Sequence, residues 1–295
     1  MKLPICIIAA LLPLAASAEA LHEQAHEGLP LKAVQLRDFH GLSVTNSMAV
    51  TWLVVLGLVL ISQLATRNMQ QVPGPLQNLV EWVVESLYNF LESIMGQHLA
   101  KKTFWFFASL FLFILCSNWL GLLPGVGTIG WGEQTATGFA VERPLFRGVN
   151  ADLNTTLAMA TVFFVLWIVW ALQAQGFMGV VKHLFGSKGG VTGIFGLFIA
   201  LVFLAAGLLE VVSILFRPIS LSLRLFGNIY AGENMLETMG HMVPGLGWLL
   251  PIPFYFMELL VGAVQAIVFM LLTAVFTLII CEHSDEGQSS AHPTH

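Results

Sequence analysis

The stretch EVVSILFRPISLSLRLFGNIYAGE, residues 210–233, decides how the rest of the chain is read, because it places charge inside sequence otherwise fit to face lipid. Beyond Lys188 the chain has only two Lys or Arg residues, Arg217 and Arg224, and both fall here. On a helix, Glu210, Ser213, Arg217, Ser220, Arg224 and Asn228 recur at steps of three or four and make one polar stripe on an apolar rod. Glu233 lies roughly 180° around from Arg224 and about 13 Å further along the axis, so it faces a different compartment or partner. A lone arginine in an apolar helix can snorkel to the headgroups along its own stem, a reading that competes at Arg217 beside Pro218. Around Arg224 the neighbours are Leu, Phe and Ile with no polar run to follow, and a guanidinium without a partner costs roughly 2.5–3.5 kcal/mol there. An anion or a water-filled cavity is expected beside it.

The composition agrees with a membrane setting. Of the 295 residues, 57% are hydrophobic and 10% charged, and the mean hydropathy is +0.81, whereas soluble domains carry about 25% charge. A net charge of −5 leaves no basic footprint for nucleic acid. Cys6, Cys116 and Cys281 are too scattered for a disulfide framework or a metal knuckle and read as small apolar fillers. Residues 1–18 carry Lys2, an apolar run and Ala16-Ser17-Ala18, the pattern of a cleaved signal peptide, with an uncleaved first helix as the alternative. Residues 19–44 read as a polar external segment without periodicity. The segment contains His22-Glu23-Gln24-Ala25-His26, formally an HExxH zinc motif, but with no apolar helix face and no third ligand to complete a site.

The membrane domain is expected over 45–281, followed by a polar tail at 282–295. Residues 48–65 form the first span, ended by Arg67. Past Pro73 and Pro75, residues 76–99 alternate at helical spacing, with Val80, Val83, Leu87, Phe90, Leu91 and Ile94 on one side and Glu81, Glu85, Asn89 and Glu92 on another, as in a helix lying along the interface. Spans follow at 103–123 and 154–172, separated by a Gly-rich loop at 126–152. Residues 191–240 exceed one perpendicular span of about 20 residues and must tilt or bend, with Pro218 the expected bend. A turn with Gly245 and Gly247 leads to the last span, 254–281. The expected class is an all-α integral membrane protein with about five crossing helices and one interfacial helix, the last two long, tilted and antiparallel. Arg67 with Lys101-Lys102, and Lys182 with Lys188, mark cytoplasmic loops; the mature N-terminus falls outside and the C-terminus in the cytoplasm.

Folding the last two helices about the turn sets Arg224 level with Gln265 and Glu233 level with Glu258. Glu258 and Gln265 share one face of their helix. Two carboxyls then sit at one depth on the outer side, with arginine and glutamine deeper. Such a set makes an ion path, or more plainly a hydrogen-bonded clamp. The clamp accounts for Gln265 and Asn228 but not for two acids with no base at their level.

RPISLSLRLFGNIYAGE at 217–233 resembles the signature of subunit a, the membrane stator of F-type rotary ATP synthases, and ADLNTTLAMA at 151–160 and NWLGLLPG at 118–125 are similar to further motifs of that family. The resemblance covers most of the chain after about residue 45. It implies a non-catalytic subunit of a bacterial inner membrane, without a cofactor, beside a c-ring of small two-helix subunits, peripheral-stalk b subunits and the other synthase subunits. It implies that Arg224 faces the ring carboxylate as an ion gate. It sets Asn228, Glu233, Glu258 and Gln265 along an outer half-channel, and Glu210, Ser213 and Ser220 along an inner one. Several family members have histidine at the position of Glu258, and many lack a leader. No GxxxxGK[ST] loop occurs, so ATP chemistry belongs elsewhere. The rival reading, a secondary ion-coupled transporter, calls for internal repeats, and none is visible.

Overall fold

The computed structural model describes residues 33–39, 42–123, 129–135, 138–185, 194–242 and 249–289. The leader with Cys6, the His22 to His26 stretch, Pro124-Gly125, Lys188, the turn at Gly245 and Gly247, and the end of the tail lie outside them. The elements run β1 (Gln35–Phe39), β2 (Leu42–Thr45), α1 (Asn46–Thr66), α2 (Pro75–Gly121), β3 (Gly130–Thr135), β4 (Gly138–Pro144), a 3-10 turn (Val149–Ala151), α3 (Leu153–Phe185), α4 (Ile194–Met242) and α5 (Pro251–Ser289). Five of the described helices are long and apolar enough to cross a membrane. This is the all-α membrane class the sequence led us to expect.

The two antiparallel hairpins, β1 with β2 and β3 with β4, were not anticipated. Their strands are four to seven residues long, too short for alternation to separate them from a polar loop. Helix α5 continues past Cys281 into the polar tail, to Ser289, and Lys182, expected in a loop, falls inside α3.

Helix breaks fall at glycine. In α2, Gly96 has φ 74° and ψ 159°, and in α3 Gly176 has φ 69° and ψ 166°, a conformation that essentially only glycine adopts. Gly96 therefore separates the amphipathic stretch from the span behind it. On that stretch Leu87 and Leu91 are buried, Val83 and Ile94 pack against the core, and Glu81, Glu85 and Asn89 are exposed, as expected. Phe90 is a correction, since it lies 40% exposed. At Pro218, where a bend is expected, helical structure runs on through α4. Proline removes one hydrogen bond but keeps a helical φ, whereas a positive φ ends the helix direction outright. At 49 residues α4 is about 74 Å long, well over the roughly 30 Å of a bilayer core, so tilt and overhang take up the excess.

Contacts fix the packing. Asn228 meets Gln265 and Arg217 meets Phe276, so α4 and α5 run antiparallel. Asn118 meets Gly262, setting α2 against α5, and Thr156 meets Ser222, setting α3 against α4. The shared core holds Leu91, Phe107, Ile114, Phe163, Leu225 and Phe269, all nearly inaccessible. Ala160, Ala266 and Ala274 are fully buried among them. Small residues allow close backbone approach where lipid supplies no hydrophobic drive to associate. Large apolar side chains such as Leu56, Leu60, Leu64, Leu208 and Leu209 face outward instead, the arrangement that a lipid solvent favours. Cys116 and Cys281 are half-buried and pack in separate apolar clusters, the filler role expected of them.

Candidate ion path

The carboxyl end of α2, the N-terminus of α1, the 3-10 turn and the turn-side ends of α4 and α5 come together at one end of the bundle. Polar side chains bind them. Ser47 donates to Asp152 at 2.6 Å, and the other Asp152 oxygen accepts from the backbone N–H of Asn154 at 3.0 Å, capping α3. Asn150 donates to Asn118 at 2.6 Å, which in turn donates to the Gly262 carbonyl at 2.9 Å. Trp119 donates to the Leu259 carbonyl at 3.2 Å.

Glu258 and Glu233 lie within this end, as their placement in sequence led us to expect. Glu258 is 4% exposed, and its carboxyl rests where a side chain at Gly232 would stand. Its Oε1 finds no hydrogen-bond partner among the described residues. Glu233 occupies the space left open by Gly148, whose backbone N–H donates to it, and Gly121 lies close by. Charged neighbours of Glu233 are Arg147, Glu258 and Glu237.

Arg147 corrects the reading that the two acids have no base near them. It is 3% exposed and donates to the Ala151 carbonyl at 3.1 Å. Sequence reasoning missed it because it sits in a loop 86 positions before Glu233, and only the fold brings the two together. Asn118 and Asn150 were likewise not chosen, although Asn118 closes an apolar run, a signal that could have been used.

Deeper along the hairpin, Asn228 donates to Gln265 at 2.9 Å, and Gln265 is 5% exposed. Gln265 thus lies opposite Asn228, one helical turn from Arg224, rather than level with Arg224 as simple symmetry has it. Arg224 is exposed and makes no hydrogen bond or ion pair with another described residue. Its neighbours on that surface are Leu223, Ser220, Ile219 and Phe216, all exposed. Arg217 differs. Its guanidinium lies 4.5 Å over the Phe276 ring and 5.9 Å from the Trp167 ring, half-buried, with the aromatic faces and the charge of Glu210 as its electrostatic partners.

Toward the other end Ser213 is exposed and Glu210 half-buried, so Glu210, Ser213 and Ser220 stand apart from the cluster around Glu233. Ser222, unlike Ser220, is fully buried and shares a hydrogen bond of 3.1 Å with Thr156, fastening α4 to α3. Among the described residues no three His, Cys, Asp or Glu side chains gather as a metal site.

Polar groups thus lie at two levels of the bundle, with an exposed arginine between them on the face of α4. Residues 48–277 match the family described as ATP synthase A chain. The chain is 35% identical over 239 residues to a protein of Citrifermentans bemidjiense described as ATP synthase subunit a, covering 81% of this chain and 89% of that one. A protein of Pelobacter propionicus described as ATP synthase subunit a 1 is 36% identical over 78% of this chain and 85% of its own. One from Gloeobacter violaceus, described as ATP synthase subunit a, is 33% identical over 82% and 85%. A family match spanning most of the chain, on a bundle of five apolar helices, makes this protein a member of the ATP synthase A chain family.

Proposed function

We propose that the chain is the ion-conducting stator subunit of an F-type ATP synthase in a bacterial inner membrane, working beside a ring of small two-helix subunits with peripheral-stalk b subunits at its flank. The observation that carries this is Arg224, a guanidinium on the exposed apolar face of a membrane helix, without a partner among the described residues. Such a charge left facing lipid costs roughly 2.5–3.5 kcal/mol. A carboxylate on a neighbouring subunit removes that cost.

The chemistry follows from electrostatics. A ring acid facing lipid stays protonated, because desolvation penalises its charged form. Beside a guanidinium about 4 Å away, an attraction of roughly 4 kcal/mol at an effective dielectric near 20 favours the ionised form. The acid therefore releases its ion only at the stator, and Arg224, always charged, acts as gate rather than relay. Ions reach the ring through an outer half-channel along Glu233, Glu258, Gln265 and Asn228. They leave through an inner one along Ser220, Ser213 and Glu210. In this orientation the hairpin-bearing end is external, Lys101 and Lys102 are cytoplasmic, and the chain itself performs no ATP chemistry.

The test is Arg224→Ala in vesicles holding equal amounts of assembled complex. Insertion should not suffer, while gradient-driven ATP synthesis and ATP-driven pumping should both be lost. Near-normal coupled synthesis would reject the reading.

A further inference from the structure

Glu233 and Glu258 are not equivalent. Glu258 has a buried oxygen with no hydrogen-bond partner among the described residues. Glu233 is seated, with the Gly148 N–H donating to it and the bare α-carbon of Gly148 leaving the space its carboxyl fills. Arg147, the residue next to that glycine, is among the charged neighbours of Glu233 and is itself held at 3.1 Å by the Ala151 carbonyl. The seat is rigid from behind, because Asp152 of the same loop is bound to Ser47 and caps α3.

We propose that Arg147 and Gly148 form a seat that fixes the Glu233 carboxylate opposite Glu258, so that Arg147 is a positioning residue for ion delivery through Glu233. The inference rests on the outer half-channel proposed above. Its physical basis is that two acids at one depth repel each other when both are charged. A buried cation beside one of them relieves this and assigns the pair different duties. Glu233, held in place, passes the proton on to Glu258, whose buried oxygen has no hydrogen-bond partner among the described residues. A buried arginine without its carboxylate is costly, which couples the two residues energetically.

The experiment measures gradient-driven ATP synthesis in vesicles with equal amounts of assembled complex. Arg147→Gln should lower the rate about tenfold in the native background and change it by less than about twofold in a Glu233→Gln background. Arg147→Lys, which keeps the charge, should retain most of the activity. Equal losses from Arg147→Gln in both backgrounds, or a lysine variant no better than the glutamine one, would overturn the positioning role. Should Arg147→Gln fail to assemble, Gly148→Ala decides, because its new methyl group overlaps the Glu233 carboxyl. It should impair synthesis in the native background and add nothing to Glu233→Ala, and an undiminished loss there overturns the seat. A wild-type rate in Glu233→Gln itself would instead overturn the outer half-channel.

Discussion

Arg217 and Arg224 lie two helical turns apart on the same polar stripe, yet their fates differ. Arg217 turns its guanidinium onto Phe276 and Trp167, and Arg224 has no such rings and stays exposed. Among the described residues, Arg224 is thus the arginine presented on the outer face of the hairpin. Lysine at position 224 keeps a charge but loses the fixed planar fork, so Arg224→Lys should also lose most coupled synthesis, read as the ratio of synthesis to assembled complex. At the turn-side end, Glu233→Gln and Glu258→Gln should each slow synthesis, and the double variant should fall short of the product of the single effects. Summed transition free energies that match the double variant would mean the two acids act separately. Gly232→Ala places a methyl group where the Glu258 carboxyl rests. It should mimic the loss of Glu258, and wild-type synthesis in that variant would show that the carboxyl moves aside freely.

At the scale of elements, the breaks in α2 and α3 depend on glycine torsions rather than on space. A methyl group at Gly96 meets nothing within 4 Å, so Gly96→Ala exerts its effect through the backbone alone, at about 1–3 kcal/mol. Gly57, in the middle of α1 and equally uncrowded, should behave oppositely, Gly57→Ala stabilising by about 0.5–1 kcal/mol. Thermal unfolding of the complex in detergent separates the two, with midpoints expected to move in opposite directions. The contact between Ser47 and Asp152 joins the start of α1 to the start of α3 across 105 positions. Removing the hydroxyl in Ser47→Ala leaves a buried carboxylate oxygen without its donor, at about 1–3 kcal/mol.

At the scale of the whole molecule, the bundle has one polar, hairpin-bearing end and one end near Gly96 and Gly176. Single cysteines at Lys101 and Trp131, both exposed, should react with an impermeant reagent from opposite sides of the membrane in a background without other cysteines. Labelling from one side would overturn the proposed orientation. Between Leu201 and Gly240, an 18-residue apolar stretch of α4 is only 11% buried inside the chain, against 44% for the corresponding stretch of α5. The long helix that carries Arg224 is therefore the one left most open for a partner.

What the sequence by itself determined is the membrane class, the five spans, the antiparallel final hairpin and the signature around Arg224, because each is written in local hydropathy, helical spacing or a contiguous motif. Counting about the turn also brought Glu258 near Glu233, although it set Gln265 one helical turn away from its partner Asn228. Only the tertiary structure decided that Arg147 and Gly148 reach the Glu233 carboxyl, for the short loop after the β3–β4 hairpin has no periodicity from which its partners can be inferred. It also decided which glycines break helices, because a positive φ depends on where the next helix must go. Finally, it parted Arg217 from Arg224, identical in type and on one stripe, since that outcome rests on aromatic rings supplied by α3 and α5.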